Sequence, residues 1–277
     1  MNTAPIFIAC EQGTDEWHQA RCGVPTASVF AEALSLVGTL DEKQQKYVDA
    51  MLAGKPEPEA LALAGYKAKP TSETVKKALA GLPVGEPSEA SNKLAIKYAI
   101  ERISGKPYGN TQGSFFATER GHEGEFFARM KYEERNKLMV DEAGLVLTYD
   151  RMFGYSTDGF VGDDGMIEVK TPLDTIKILR IIQTGDISEY MHQMQGGLWI
   201  TGRKWCDFLM AIPDLAALNN GNDLYVKRVY RDEEFIDKMA LDLLAFNNRV
   251  ERFKAILSAP FNKAANDEAA SQELAAA

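Results

Sequence analysis

The spacing of apolar positions separates helical stretches from one β-rich region. Residues 11–37 read as a polar turn and then an amphipathic helix, which Thr26 or Ser28 can cap and whose Val29, Phe30, Ala33 and Leu34 share a face. Glu16, Trp17 and Arg21 fall on a short helix before it. Three short helices are expected within residues 39–87. The first is capped by Asp41, places Tyr47, Val48, Met51 and Leu52 on one face, and stops at Gly54. The second ends at Gly65. The third runs from Thr71 or Ser72 to Gly81, and GLPVGEPSEAS follows as a linker. Tight turns between short helices suggest a helix-turn-helix module. Residues 88–106 and 113–134 are helical again.

The pattern then changes. GLVLTYD, FGYSTDGFVGD and GMIEVKT read as strands, with a hairpin turning at Asp164-Gly165. ISEYMHQMQGGLWITG is a helix running into Gly196-Gly197, WCDFLMAIP and DLYVKRVYR are strands, and FIDKMALDLLAFNNRVERFKAILS is a long amphipathic helix. The expected architecture is α/β, a central mixed sheet flanked by helices with a small all-α insert. The expected division is a core of residues 1–38 and 88–262, an insert of 39–87, and a flexible tail of 263–277.

Composition narrows the chemistry. Three cysteines at unrelated spacings and only three histidines argue against a disulfide framework or a zinc site. A metal here would be a hard cation held by carboxylates. No apolar run approaches the about 20 residues that span a bilayer, and no basic segment precedes the short N-terminal apolar stretch, so a cytoplasmic protein with no membrane partner is expected. The net charge of −9 weighs against a nucleic-acid role unless the basic residues line one channel.

The informative segment is STDGFVGDDGMIEVKT. Alternation along a strand puts Glu168 and Lys170 on one face while Val169 faces the core. A hairpin folds Asp158 back beside Glu168. Two carboxylates, the Val169 carbonyl and a lysine then meet, a set suited to Mg²⁺ and to holding or deprotonating a water.

Four blocks in order, QGTDEWHQARCGVPTAS, RGHEGEFFAR, STDGFVGDDGMIEVKTP and YMHQMQGGLWITGRKW, resemble the lambda exonuclease (YqaJ-like viral recombinase) family of PD-(D/E)xK nucleases. The resemblance implies a restriction-endonuclease-like core in which Asp158 and Glu168 bind metal with the Val169 carbonyl and Lys170 is the catalytic lysine. Glu125 falls on the family's helical carboxylate, and Gln193 matches a residue that orients water or contacts phosphate. Arg21 and Ser28 match residues that hold the 5′-terminal phosphate, and Thr26 and Tyr190 count as DNA-binding with them. It implies two Mg²⁺ ions about 4 Å apart, with Mn²⁺ able to substitute. It also implies stepwise 5′→3′ digestion of one strand of linear duplex DNA, a ring-shaped homotrimer, a single-strand annealing partner, and a phage or prophage setting in a bacterial cell. Trp17, Trp199 and Trp205 read as core packing, and Asp150, Asp163 and Asp164 as turn residues. Glu119 and Glu123 read as solvated, and His122 as structural or exposed.

Residues 39–87 depart from that family. They resemble the N-terminal helix-turn-helix of phage small terminase subunits, which implies DNA contact through Lys67, Lys69, Lys76 and Lys77. From Asp41 to Glu89, however, seven lysines stand against eight acids, so the module is not basic. Two rivals remain: an endonuclease of the same superfamily, and a DNA-binding or packaging accessory protein led by the insert.

Overall fold

The computed structural model describes residues 4–109, 115–142 and 144–260, with side chains from 123 onward in the helix that opens the second stretch. The expected tail lies outside these residues, as do the side chains of Glu119 and His122. The chain divides into two compact units, Met1–Ser28 with Ala95–Ala277, and Val29–Leu94.

In chain order, β1 (Ile6–Ile8) leads to α1 (Asp15–Ala20), capped by Thr14. The amphipathic helix expected over residues 26–37 shrinks to a 3₁₀ turn (Ala27–Val29) and a four-residue α2 (Phe30–Ala33), with no side-chain cap. The chain then leaves as strand β2 (Leu36–Val37).

Next come α3 (Glu42–Leu52), α4 (Glu57–Ala64) and α5 (Glu73–Leu79). Their ends follow the local chemistry. Asp41 and Gln44 form a capping box, Gly65 closes α4 in the left-handed region, and Ser72 caps α5. Tyr47, Val48, Ala60, Ala64, Val75 and Ala78 make the core of this unit. The stretch read as an exit linker contains β3 (Glu86–Pro87), antiparallel to β2.

Helix α6 (Glu89–Ser104) starts in the helical unit and ends in the larger one, followed by α7 (Phe115–Asn136) and β4 (Leu145–Leu147). FGYSTDGFVGD, expected as one strand, is two: β5 (Gly154–Ser156) and β6 (Gly159–Val161). They belong to different sheets, β1-β4-β5 and β6-β7-β8-β9, so the single expected sheet is divided. Strand β7 (Gly165–Lys170) pairs antiparallel with β6, Val161 opposite Gly165. The turn is therefore Gly162–Asp164, made possible by Gly162 at φ +54°, and Gly165 already lies in the strand.

A helix outside the expected set, α8 (Thr175–Thr184), precedes α9 (Met191–Thr201). Together they make the crossover that a parallel β7–β8 pair requires, β8 being Trp205–Ala211. Helix α9 does not stop at Gly196-Gly197 but passes through to Gly202. A Cβ at Gly197 would stand 2.7 Å from Met166 Cε and from Tyr155 Cε1, so that glycine serves close packing. Strand β9 (Leu224–Tyr230) and helix α10 (Glu233–Ser258) complete the chain. Ile167, Val169, Leu209 and Ala211 pack with Ala128 and Tyr132 of α7 in the core of the larger unit. No helix is long and apolar enough to cross a membrane among the described residues.

Candidate active site

Strand β7 carries the centre of the site. Ile167 and Val169 point into the core under α7, so Glu168 and Lys170 point the other way. Gly159 pairs with Ile167, which puts Asp158 beside Glu168. Between β5 and β6 the Thr157 hydroxyl bonds the Gly159 carbonyl at 3.1 Å and the chain bends. The bend leaves the Asp158 carboxylate free to accept from the Val169 N–H at 2.6 Å. Arg129 of α7 donates to the Asp158 carbonyl at 3.0 Å and to Glu142 at 2.8 Å.

Glu168 is 1% exposed and both its oxygens are engaged. The Tyr155 hydroxyl donates to Oε2 at 2.8 Å, while Lys170 Nζ at 2.6 Å and Gln193 Nε2 at 2.5 Å share Oε1. Gln193 sits in the first turn of α9. Gln195, two residues on, is turned instead to the β9–α10 corner, where it bonds the Tyr230 carbonyl and the Asp232 N–H.

Burial and then the neighbouring Glu168 charge push the Asp158 carboxyl well above its ordinary value. Burial opposes the Lys170 ammonium, but Glu168 and Asp158 outweigh it and its pKa is raised, so Lys170 is a cation here. Burial and Glu168 likewise raise the Tyr155 phenol, which stays a donor.

These groups line a pocket of about 160 Å³ that also takes in Glu125 and, from the N-terminal segment, Gln12, Trp17, Arg21, Thr26 and Ser28. Glu125 reaches it because Gly124 lets α7 close on the end of β7: a Cβ there would lie 2.0 Å from Thr171 Cγ2. The Arg21 guanidinium lies over the Trp17 ring, 3.9 Å from its centroid, and donates to Thr26 Oγ1 at 2.7 Å; Ser28 Oγ is 3.2 Å from that oxygen. Trp17 Nε1 donates to Ser156 Oγ at 2.9 Å, so Trp17 is a wall of the pocket rather than plain core packing. Tyr190 lies against Phe208 and lines an adjoining cleft of about 400 Å³ with Glu125, Lys170, Thr171 and Lys177.

Asp158, Glu168, Val169, Lys170, Glu125, Gln193, Arg21, Thr26 and Ser28 thus share one pocket, and Tyr190 adjoins it. Lys76 and Lys77 belong to the helical unit, exposed on α5, with Lys76 3.5 Å from Glu73. Lys69 pairs with Glu57 at 3.1 Å. Tyr155, Gln12 and Ser156 were not anticipated. Tyr155 and Ser156 stand directly before the Thr-Asp pair, and Gln12 opens the first motif block.

Two observations bear on a metal. Among the described residues no three His, Cys, Asp or Glu side chains form a ready-made cage. Yet Asp158 and Glu168 repel each other in a buried pocket, with Glu125 adding to that repulsion on Asp158 and Lys170 compensating only in part. An all-oxygen set with surplus negative charge fits a hard divalent cation.

The sequence matches the YqaJ-like viral recombinase domain family over residues 16–204. Among solved structures, the alkaline exonuclease LHK-Exo from Laribacter hongkongensis is similar at 25% identity and a TM-score of 0.60, over 91% of this chain and 99% of that one. Its complex with dAMP gives 27% and 0.63 over the same shares. A phage-related exonuclease from Haemophilus somnus 129PT is similar at 15% identity with a TM-score of 0.50, over 82% of this chain and 99% of that one, a likeness of fold alone. No curated protein matches the chain.

Proposed function

The chain belongs to the YqaJ-like viral recombinase domain family, and from that premise we propose that it is a Mg²⁺-dependent exonuclease that digests one strand of linear duplex DNA 5′→3′ to mononucleotides. The observation that carries this reading is the shared pocket. A hydrolytic cluster of Asp158, Glu168 and Lys170 opens into the same space of about 160 Å³ as Arg21, Thr26 and Ser28. An enzyme that cuts inside a duplex has no use for an end-phosphate cradle beside its scissile phosphate. The alkaline exonuclease with its bound dAMP is in keeping with a mononucleotide product.

Asp158, Glu168, the Val169 carbonyl and Glu125 would hold the divalent ions, Mg²⁺ or Mn²⁺ and two per site in this reading. The chemistry such ions would supply when bound there is a water that ionises near neutral pH and an offset to charge on the leaving 3′-oxygen. Lys170, held as a cation by Glu168, stabilises a phosphate oxygen and orients water by charge rather than by taking a proton. Gln193 fixes Glu168 and can turn its amide to the attacking water. Arg21 offers a planar fork and Ser28 a hydroxyl to the 5′-phosphate. Duplex DNA ends are the proposed partner. A ring of three copies of this chain, a single-strand annealing protein and DNA contact by Lys76 and Lys77 extend the same reading.

The test is Mg²⁺-dependent digestion of a linear duplex labelled at either end, beside a covalently closed circle and the Lys170→Ala variant. The expected outcome is release of 5′-terminal nucleotides first, an intact circle and an inactive variant. Cutting of the circle would make the protein an endonuclease.

A further inference from the structure

The loop that carries Arg21, Thr26 and Ser28 is held by α6 at both backbone groups of one residue. At Gly23, Glu101 Oε2 accepts the N–H at 2.7 Å, and Arg102 Nε donates to the carbonyl at 2.8 Å. Gly23 has φ +74°, and a Cβ on it would stand 2.8 Å from Arg102 Cγ, so the residue is glycine for conformation and for space. Glu101 is 4% exposed, an uncommon place for a carboxylate. Its second oxygen accepts the Tyr108 N–H at 3.0 Å, with Lys97 Nζ 3.8 Å away. Arg102 is anchored in turn, its NH1 donating to Asn247 Oδ1 and Glu251 Oε1 of α10, each at 2.8 Å.

The far side of the loop is fixed as well. The Gly154 N–H donates to the Pro25 carbonyl at 3.0 Å, and Thr26 bridges to Gly154. Burial lowers the Arg21 pKa from its ordinary value, opposed in part by Tyr98 and Glu101, both on α6. The Glu101 carboxylate thus joins the loop that leads to the end-phosphate cradle, through the Gly23 N–H, to the segment after α6, through the Tyr108 N–H.

We propose that Glu101, working with Arg102, is a positioning residue for end recognition: a clamp on the backbone N–H and carbonyl of Gly23 that aims Arg21 and the Thr26–Ser28 hydroxyls into the pocket. The proposal rests on the end-phosphate reading above. A carboxylate suits the task because it accepts two N–H groups from different segments at once. An amide in its place keeps one acceptor and loses the other.

The experiment compares initial rates on linear duplexes with 5′-phosphate or 5′-hydroxyl ends for the whole protein and for Glu101→Ala, Glu101→Gln and Arg21→Ala. For Glu101→Ala the expected result is a fall of about tenfold in preference for phosphorylated ends, carried by KM rather than kcat and within the ~10²-fold that a misplacement of about 1 Å costs. Glu101→Gln should lie between it and the parent, and it carries the test alone if the alanine variant fails to fold. The proposal is overturned if the preference survives in both Glu101 variants while thermal stability drops, or if both kinds of end lose rate equally. If Arg21→Ala also keeps the preference, the end-phosphate reading fails and takes the clamp with it.

Discussion

The helical unit and the pocket of the larger unit handle charge in opposite ways. In residues 29–94 the ion pairs are exposed: Lys46 with Glu42, Lys55 with Glu59 and Lys76 with Glu73 lie three or four residues apart, and Lys69 reaches Glu57 twelve residues away. Pairs of that kind stay in water, contribute little, and tell little about function. In the pocket, Glu168 is buried and Asp158 and Lys170 half-buried, and Glu168 takes its partners from β5, β7 and α9. On the proposed reading, two carboxylates held together there serve chemistry rather than folding.

The contrast can be broken first in the pocket. Lys170→Ala and Asp158→Asn should each lower turnover by about 10³-fold, the scale on which charge-stabilising groups act in a water-poor site. Asp158→Asn should also raise the melting temperature of chelated protein, because it removes a buried carboxylate pushed against Glu168. A melting temperature that falls would show Asp158 to be a structural anchor through its bond to Val169.

The next effect is on cation binding and pH. Mg²⁺ at a hundred times its Kd should stabilise the protein by about 2.7 kcal/mol, read from thermal melts, and Asp158→Asn should remove most of that gain. The raised Asp158 carboxyl sets the sign in chelator: its contribution is fully present below the ordinary carboxylate value and is lost as pH rises through the raised one. The melting temperature of the chelated parent should therefore fall, relative to Asp158→Asn, as pH climbs through that window.

Substitutions in the helical unit should be smaller and leave catalysis alone. Asp41→Ala removes the α3 capping box and should cost about 1 kcal/mol in denaturant titration. Smaller still is Tyr47→Phe. Among the described residues the buried Tyr47 hydroxyl has no hydrogen-bond partner, so its removal should leave stability unchanged or raise it by up to about 1 kcal/mol. A clear loss would point to a bound water that the hydroxyl holds.

The same contrast explains what could be read in advance. Helices α3, α4 and α5 end where Asp41, Gly65 and Ser72 say they should, since caps act within a turn of the backbone. The convergence of Asp158 with Glu168 and Lys170 was legible because strand alternation and one hairpin fix it. The break between β5 and β6 was not, because it depends on Thr157 bonding across the bend and on Gly159 fitting under Val140. Helix α8 was missed between motifs, although Asp174 caps it and Gly185 ends it. The passage of α9 through Gly196-Gly197 reflects what lies against it, Tyr155 and Met166 of two other strands, which no local rule discloses. Tyr155 and Glu101 were overlooked for the same reason: their partners lie 13 and 78 residues away in sequence.

The central claim is that one pocket joins the hydrolytic cluster to a cradle for the end phosphate. Its most direct test is the ratio of initial rates on 5′-phosphorylated and 5′-hydroxyl linear duplex, in Mg²⁺, for the parent and Arg21→Ala. The account predicts a preference for phosphorylated ends that falls by about tenfold or more in Arg21→Ala, as loss of a charge-assisted contact requires, with turnover still measurable. An equal ratio in the two proteins would contradict it, and Arg21, however well placed against Trp17 and Thr26, would then be a structural residue.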